Sequence, residues 1–286
     1  MTAQNAIDRR PSPIAGSWYP SQPKALRAMI EGFLAKAPKA DFKGKVRGLI
    51  VPHAGYIYSG YTAACAFKAL EGIRFTKVVV LAPSHTSYLE ALLTSGHEAY
   101  TTPLGDLRID VKALEEIKKA LNVAGLSLAA VHNDREHSLE IQLPFLQVLL
   151  GESFSLVPMM MADQRRPIAE ALAKALSQWR AGLPQGESVL FLASSDQSHF
   201  YSELVAEAMD RRVMDALKAQ DLDLLYRLDA EGKGEACGLG PMAALLLTCR
   251  ALGRVELTLC DHRNSAEVSG DRSSVVGYTS AVLSGE

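Results

Sequence analysis

The chain has 286 residues, 48% of them hydrophobic, and a formal net charge of −2. That is enough apolar material for one large core, and the charge leaves no basic footprint for nucleic acid. No apolar run approaches the length of a membrane span and the polar start lacks a signal-peptide core, so a cytoplasmic protein is expected.

In chain order, residues 1–10 read as a flexible tail. Residues 10–20 are punctuated by Pro and Gly, and Trp18 with Tyr19 either covers a pocket or staples the tail to the core. Helical spacing follows at 26–34. The short aliphatic run 48–52 reads as a buried strand and leads into His53. Residues 61–70 are rich in small side chains and helical. Residues 77–81 form a second strand, which leads through Pro83 and Ser84 to His85. Further strands are read at 89–94 and 107–109. Residues 111–121 carry a helical stripe, as do 137–150 despite Pro144. An apolar run spans 154–160 and an amphipathic helix 168–179. The third buried strand, 189–193, precedes Asp196 and His199. Helical patterns at 203–219 and 221–228 lead to a glycine-rich loop at 232–240. Pro241 suits the first turn of a helix over 242–252, and 255–260 and 275–283 read as closing strands. With no repeat and no linker, the reading is a single domain over 1–286. Its expected architecture is a three-layer α/β/α sandwich with a mostly parallel central sheet.

Strands buried on both faces belong to parallel sheets, and side chains just past their carboxyl ends meet in one crevice. His53, His85 and His199 are therefore candidates for one metal or acid–base site. The competing reading makes each a loop histidine bonded to nearby backbone. Asp196, three residues before His199, is either a partner for that imidazole or a cap for a helix starting near Ser198. Cys237 lies just before a helix start, where the dipole would favour thiolate and a soft metal ligand; otherwise it is a small buried residue in a turn. The cysteines at 65, 249 and 260 sit in apolar contexts, and no C-x-x-C exists for a zinc ribbon or thioredoxin-like site. His132 and His137 are five apart and do not share a helix face. His137 and Glu140, three apart, could face one pocket and orient a ligand imidazole, or simply be polar residues at a helix start. His97 and His262 read as surface or structural. P-loop, dinucleotide-binding and G-x-S-x-G signatures are missing.

Several short motifs in fixed order carry a resemblance. They are Ala15-Gly16-Ser17-Trp18-Tyr19-Pro20, Pro52-His53-Ala54-Gly55-Tyr56, Pro83-Ser84-His85, Glu136-His137-Ser138-Leu139-Glu140 with Leu143-Pro144, Ser194-Ser195-Asp196 with His199, Cys237-Gly238, and Asp271 to Val275. In these the chain resembles the Memo family, whose bacterial and archaeal members are called AmmeMemoRadiSam system protein B. The resemblance implies a fold akin to class III extradiol dioxygenases. It implies a metal, Fe(II) or copper with zinc as a substitute, held by His53, His85 and Cys237, with Cys237 where the dioxygenases have a carboxylate. It gives His199 an acid–base role beside Asp196, and places Trp18 and Tyr56 at the pocket. The implied activity is a metal-dependent, dioxygenase-like redox reaction on an unknown small molecule. The alternatives are a non-catalytic module binding a peptide or partner, and a metal-free Cys/His nucleophile. The family label further implies a functional link to a radical-SAM protein and to the third namesake.

Overall fold

The computed structural model describes residues 7–286. Its strands are β1 (Arg9–Arg10), β2 (Lys45–Val51), β3 (Lys77–Pro83), β4 (Leu92–Ser95), β5 (Ala99–Thr102), β6 (Gly105–Arg108), β7 (Leu128–Val131), β8 (Ser155–Met161), β9 (Val189–Ser194), β10 (His199–Tyr201), β11 (Val255–Asn264) and β12 (Val275–Gly285). Its helices are α1 (Pro23–Lys36), α2 (Tyr56–Phe67), α3 (Val111–Val123), α4 (Leu143–Leu150), α5 (Arg166–Ala181), α6 (Glu203–Ala219), α7 (Leu222–Ala230), α8 (Leu239–Ala251) and the short α9 (Ala266–Ser269).

The main sheet runs β10-β12-β2-β9-β3-β8-β4-β7, with β11 also on β12. Its centre is parallel: β2 with β9, β9 with β3, and β3 with β8. The flanks are not. β12 runs antiparallel to β2, β10 and β11, and β4 antiparallel to β8. The expected mostly parallel sheet is thus corrected to a mixed one. An apolar run encodes burial on two faces, not strand direction. Val78, Val79, Val80 and Leu81 of β3 are fully buried, each worth about 1.5–3 kcal/mol of transfer free energy.

Helices cover both faces of the sheet. Asp261 and His262 are neighbours on β11 and so point to opposite faces. Thr62 of α2 bonds Asp261 at 2.7 Å, while Asp210 of α6 meets His262 at 2.9 Å. These two helices therefore lie on opposite sides. α8 packs on β2, β3 and β9, and α5 packs on α8. No helix among the described residues is long and apolar enough to cross a membrane.

Two local expectations change. The 137–150 stripe is not one helix: a 3-10 turn at Glu140–Gln142 precedes α4, and Pro144 sits in the first turn of α4, where its missing N–H costs nothing. The flexible tail expected over residues 1–10 ends before Arg9 and Arg10, which pair in parallel with β5; residues 1–6 lie outside the described residues. Arg10 is buried, bonded to Asp134 at 2.7 Å, to Glu140 at 2.5 Å and to the Glu136 carbonyl at 2.8 Å.

Candidate metal centre

Because β2, β9 and β3 are parallel neighbours, their carboxyl ends open on one edge. His53 follows β2 by two residues and His85 follows β3 by two. Cys237 arrives from the loop before α8. Its neighbour Gly238 lies against the end of β9, where a Cβ would sit 2.2 Å from the Ser194 carbonyl oxygen. Only glycine lets the Cys237 loop come this close. Cys237 Sγ lies 3.0 Å from His53 Nε2, and the His53 and His85 rings are 5.2 Å apart. One ligand atom from each of His53, His85 and Cys237 falls within 4.8 Å of the others.

Hydrogen bonds settle which ring nitrogens face that cluster. Ser194 Oγ donates its single proton to the Ser138 carbonyl at 2.7 Å. It accepts from Gln142 Nε2 at 2.9 Å. Towards His53 Nδ1, also at 2.9 Å, it can therefore only accept. His53 carries its proton on Nδ1 and turns the Nε2 lone pair to Cys237. His85 Nδ1 donates to Glu136 Oε1 at 2.9 Å, which leaves Nε2 free in the same sense. Burial, reinforced by His137 and His85, holds His53 neutral well below the usual histidine range.

Glu136 is the hub beneath His85. It accepts from the backbone N–H of His85 at 2.6 Å, of His137 at 2.9 Å and of Ser138 at 2.9 Å, besides the His85 ring. Burial opposes its ionisation, but these donors outweigh burial and keep it well below the usual carboxylate range. The trio His85, Glu136 and His137 also brings ligand atoms close together. Glu136 takes three of these bonds on Oε1 and one on Oε2, and through them it holds the His85 ring and the His85 backbone together. Burial pushes His137 down to about 4, and its ring stacks at 4.6 Å on His85 and 4.1 Å from Trp18.

Asp196 accepts from the His53 backbone N–H at 2.7 Å, and its own N–H points at Cys237 Sγ at 3.2 Å. It ties the two loops together and does not cap a helix. His199 opens β10, not a helix, and its Nδ1 donates to Glu235 Oε1 at 2.9 Å. Burial raises the carboxyl of Asp196. Burial, with Asp196 adding to it, also raises the Cys237 thiol well above the usual range. The expected depression by a helix dipole is thus reversed: α8 starts two residues later, and desolvation dominates.

A family model described as Memo-like protein matches residues 9–282. The chain belongs to the Memo family. It is 35% identical over 278 residues to a MEMO1 family protein of Methanothermobacter thermautotrophicus, covering 94% of this chain and 98% of that one. It is 32% identical over 269 residues to a MEMO1 family protein of Nitrosopumilus maritimus, covering 93% and 96%. An uncharacterized Escherichia coli K12 protein of known structure shares the fold at 12% identity and a TM-score of 0.50, covering 82% of this chain and 99% of its own.

In this Memo family chain the cluster opens into a cleft of about 490 Å³. Trp18, His53, His85, His137, Asp196 and His199 all line it. Tyr56 does not: it is buried, with its hydroxyl on the Ile141 carbonyl at 2.7 Å and its ring against Phe145. The next residues of α2, Ile57 and Tyr58, take the wall position instead. Glu140 also sits apart from the His53 and His85 rings. It receives Arg10, Ser12 and Tyr19, and thereby pins the segment that carries Trp18. Sequence reasoning missed Glu136, Gln142, Ser194 and Glu235. Glu136 and Ser194 stand inside the family motifs, but nothing in their spacing announces a role.

Proposed function

We propose that this chain binds one redox-active transition-metal ion, iron(II) or copper, through His53, His85 and Cys237, and acts on a small organic molecule held in the adjoining cleft. The observation that carries the reading is the convergence of three donor atoms within 4.8 Å, with both imidazoles turned so that Nε2 faces the cluster. Two neutral imidazoles and a sulfur suit iron, copper or zinc, and the thiolate shifts preference towards the softer ions. The ion would supply one-electron redox chemistry and a site for oxygen or substrate donors. The protein supplies the rest. Ser194 and Glu136 orient the two imidazoles, Asp196 links the His53 and Cys237 loops, and His199, held by Glu235, moves protons at Nε2. Trp18, Ile57, Val276 and Tyr278 give the cleft an apolar wall, within the usual size range of small-molecule sites.

Metal analysis of anaerobically purified protein tests this. About one equivalent is expected in the native chain and less than a tenth in His53→Ala and Cys237→Ser. Full metal content in folded variants would refute the ligand set. The raised thiol argues against a metal-free cysteine nucleophile, because little thiolate exists near neutral pH without a cation. A partner-binding reading draws on the exposed Ile57 and Phe200, 59% and 75% accessible; it predicts binding that survives loss of His199.

A further inference from the structure

We infer that Asp210, a buried carboxylate on α6 outside the cleft, is a positioning residue that fixes the backbone carrying His199. The inference rests on the proton-carrying role given to His199 above.

His199 stands on a weak mount. β10 is three residues long, pairs with β12 alone, and slips register between His199 and Tyr201. Phe200, directly after His199, has φ +65° and is 75% exposed. A bulky residue in that region is strained and persists only where its surroundings hold it there. Edge pairing this short supplies only part of the restraint.

The rest comes from behind. Ser198 N–H donates to Asp210 Oδ1 at 3.1 Å. Asp210 Oδ2 takes a bond from His262 Nε2 on β11 at 2.9 Å. Gln197 N–H donates to the Gly277 carbonyl at 2.8 Å, and Gly277 N–H returns to the Ser198 carbonyl at 2.9 Å. Gly277 is where the fit is tightest. A Cβ there would lie 1.9 Å from Asp210 Oδ2, so only glycine lets the carboxylate pass β12 to reach Ser198. Asp210 is 0% exposed, and a carboxylate so buried is retained only with strong partners. One of its partners is the residue next to His199. Two carboxylates thus hold His199 between them. Asp210 fixes the backbone at Ser198, and Glu235 fixes the ring.

Nitrogen-detected spectra of histidine-labelled, chelator-treated full-length protein test this. The native chain should show His199 on the single Nδ1–H tautomer that Glu235 selects. Asp210→Ala should release Ser198 and leave His199 a tautomer mixture, while His53 keeps its own single tautomer as proof of fold. Asp210→Asn should restore the native signal, because its amide oxygen still accepts from Ser198. Gly277→Ala should reproduce the alanine phenotype. Should Asp210→Ala not fold, hydrogen exchange in the native chain decides: the Ser198 amide should exchange only through global unfolding. The inference is overturned by a single His199 tautomer in folded Asp210→Ala, by equal loss in Asp210→Asn, or by rapid exchange at Ser198. These signals are read without metal, so they stand or fall separately from the ligand assignment of His53, His85 and Cys237.

Discussion

Ser194 Oγ accepts a hydrogen bond from the Nδ1–H of His53 at 2.9 Å, across 141 residues of chain. The hydroxyl has no freedom to do otherwise, since its own proton is committed to Ser138 and its second lone pair to Gln142. A serine at the end of β9 thus decides which face of an imidazole at the end of β2 is basic. Orienting partners of this kind are commonly worth 10–100-fold in metal affinity.

Ser194→Ala should therefore weaken metal binding by about 10–100-fold while leaving the fold intact. Competition titration against a chromophoric chelator measures this. Unchanged affinity would mean that His53 keeps its tautomer without Ser194.

Metal uptake should release a proton from Cys237. The half-buried thiol is held well above its usual range, so it is protonated near neutral pH and must ionise to bind a cation. The apparent binding constant should rise about tenfold per pH unit over the neutral range. Calorimetry in buffers of different ionisation enthalpy counts the protons. Cys237→Ser should abolish the dependence along with most of the affinity.

Glu136 makes stability sensitive to acid. Its folded carboxyl is held below the ordinary value of 4.5, so folding favours the ionised form. That stabilisation is complete above the unfolded value and is lost as pH falls towards the folded one. Urea unfolding should therefore show a steep decline below about pH 4.5, and Glu136→Gln should be flatter there and less stable at pH 7.

Arg10 joins Asp134 and Glu140 in a buried ion network beneath the Trp18 segment. Arg10→Ala leaves two buried acids without their cation and should cost about 3–5 kcal/mol in urea unfolding. Arg10 and Glu140 removed together should cost less than the sum of the single changes, because the double variant leaves fewer uncompensated charges.

The strands leading to His53, His85 and His199 are legible because each is a continuous apolar run bounded by Gly, Pro or Ser. The run at 137–150 misleads because its stripe continues through a 3-10 turn with nearly helical spacing. Tyr56 and the wall residue Tyr58 differ by two positions on one helix turn, and only packing against Phe145 tells which faces inward. Glu136 and Glu235 carry no periodic signal, because their partners, His85 and His199, lie 51 and 36 residues away.

Burial patterns, turn residues and the ordered family motifs are local properties, and they place the chain in its class and family from the amino-acid order alone. The protonation of His53 and Cys237, the orienting roles of Ser194 and Glu136, and the reach of Asp210 to Ser198 are tertiary properties. Desolvation and hydrogen bonding act over a few ångströms, so they are decided by which distant segments the fold brings together. That is why the thiol expected to be acidic beside a helix is instead pushed up by desolvation.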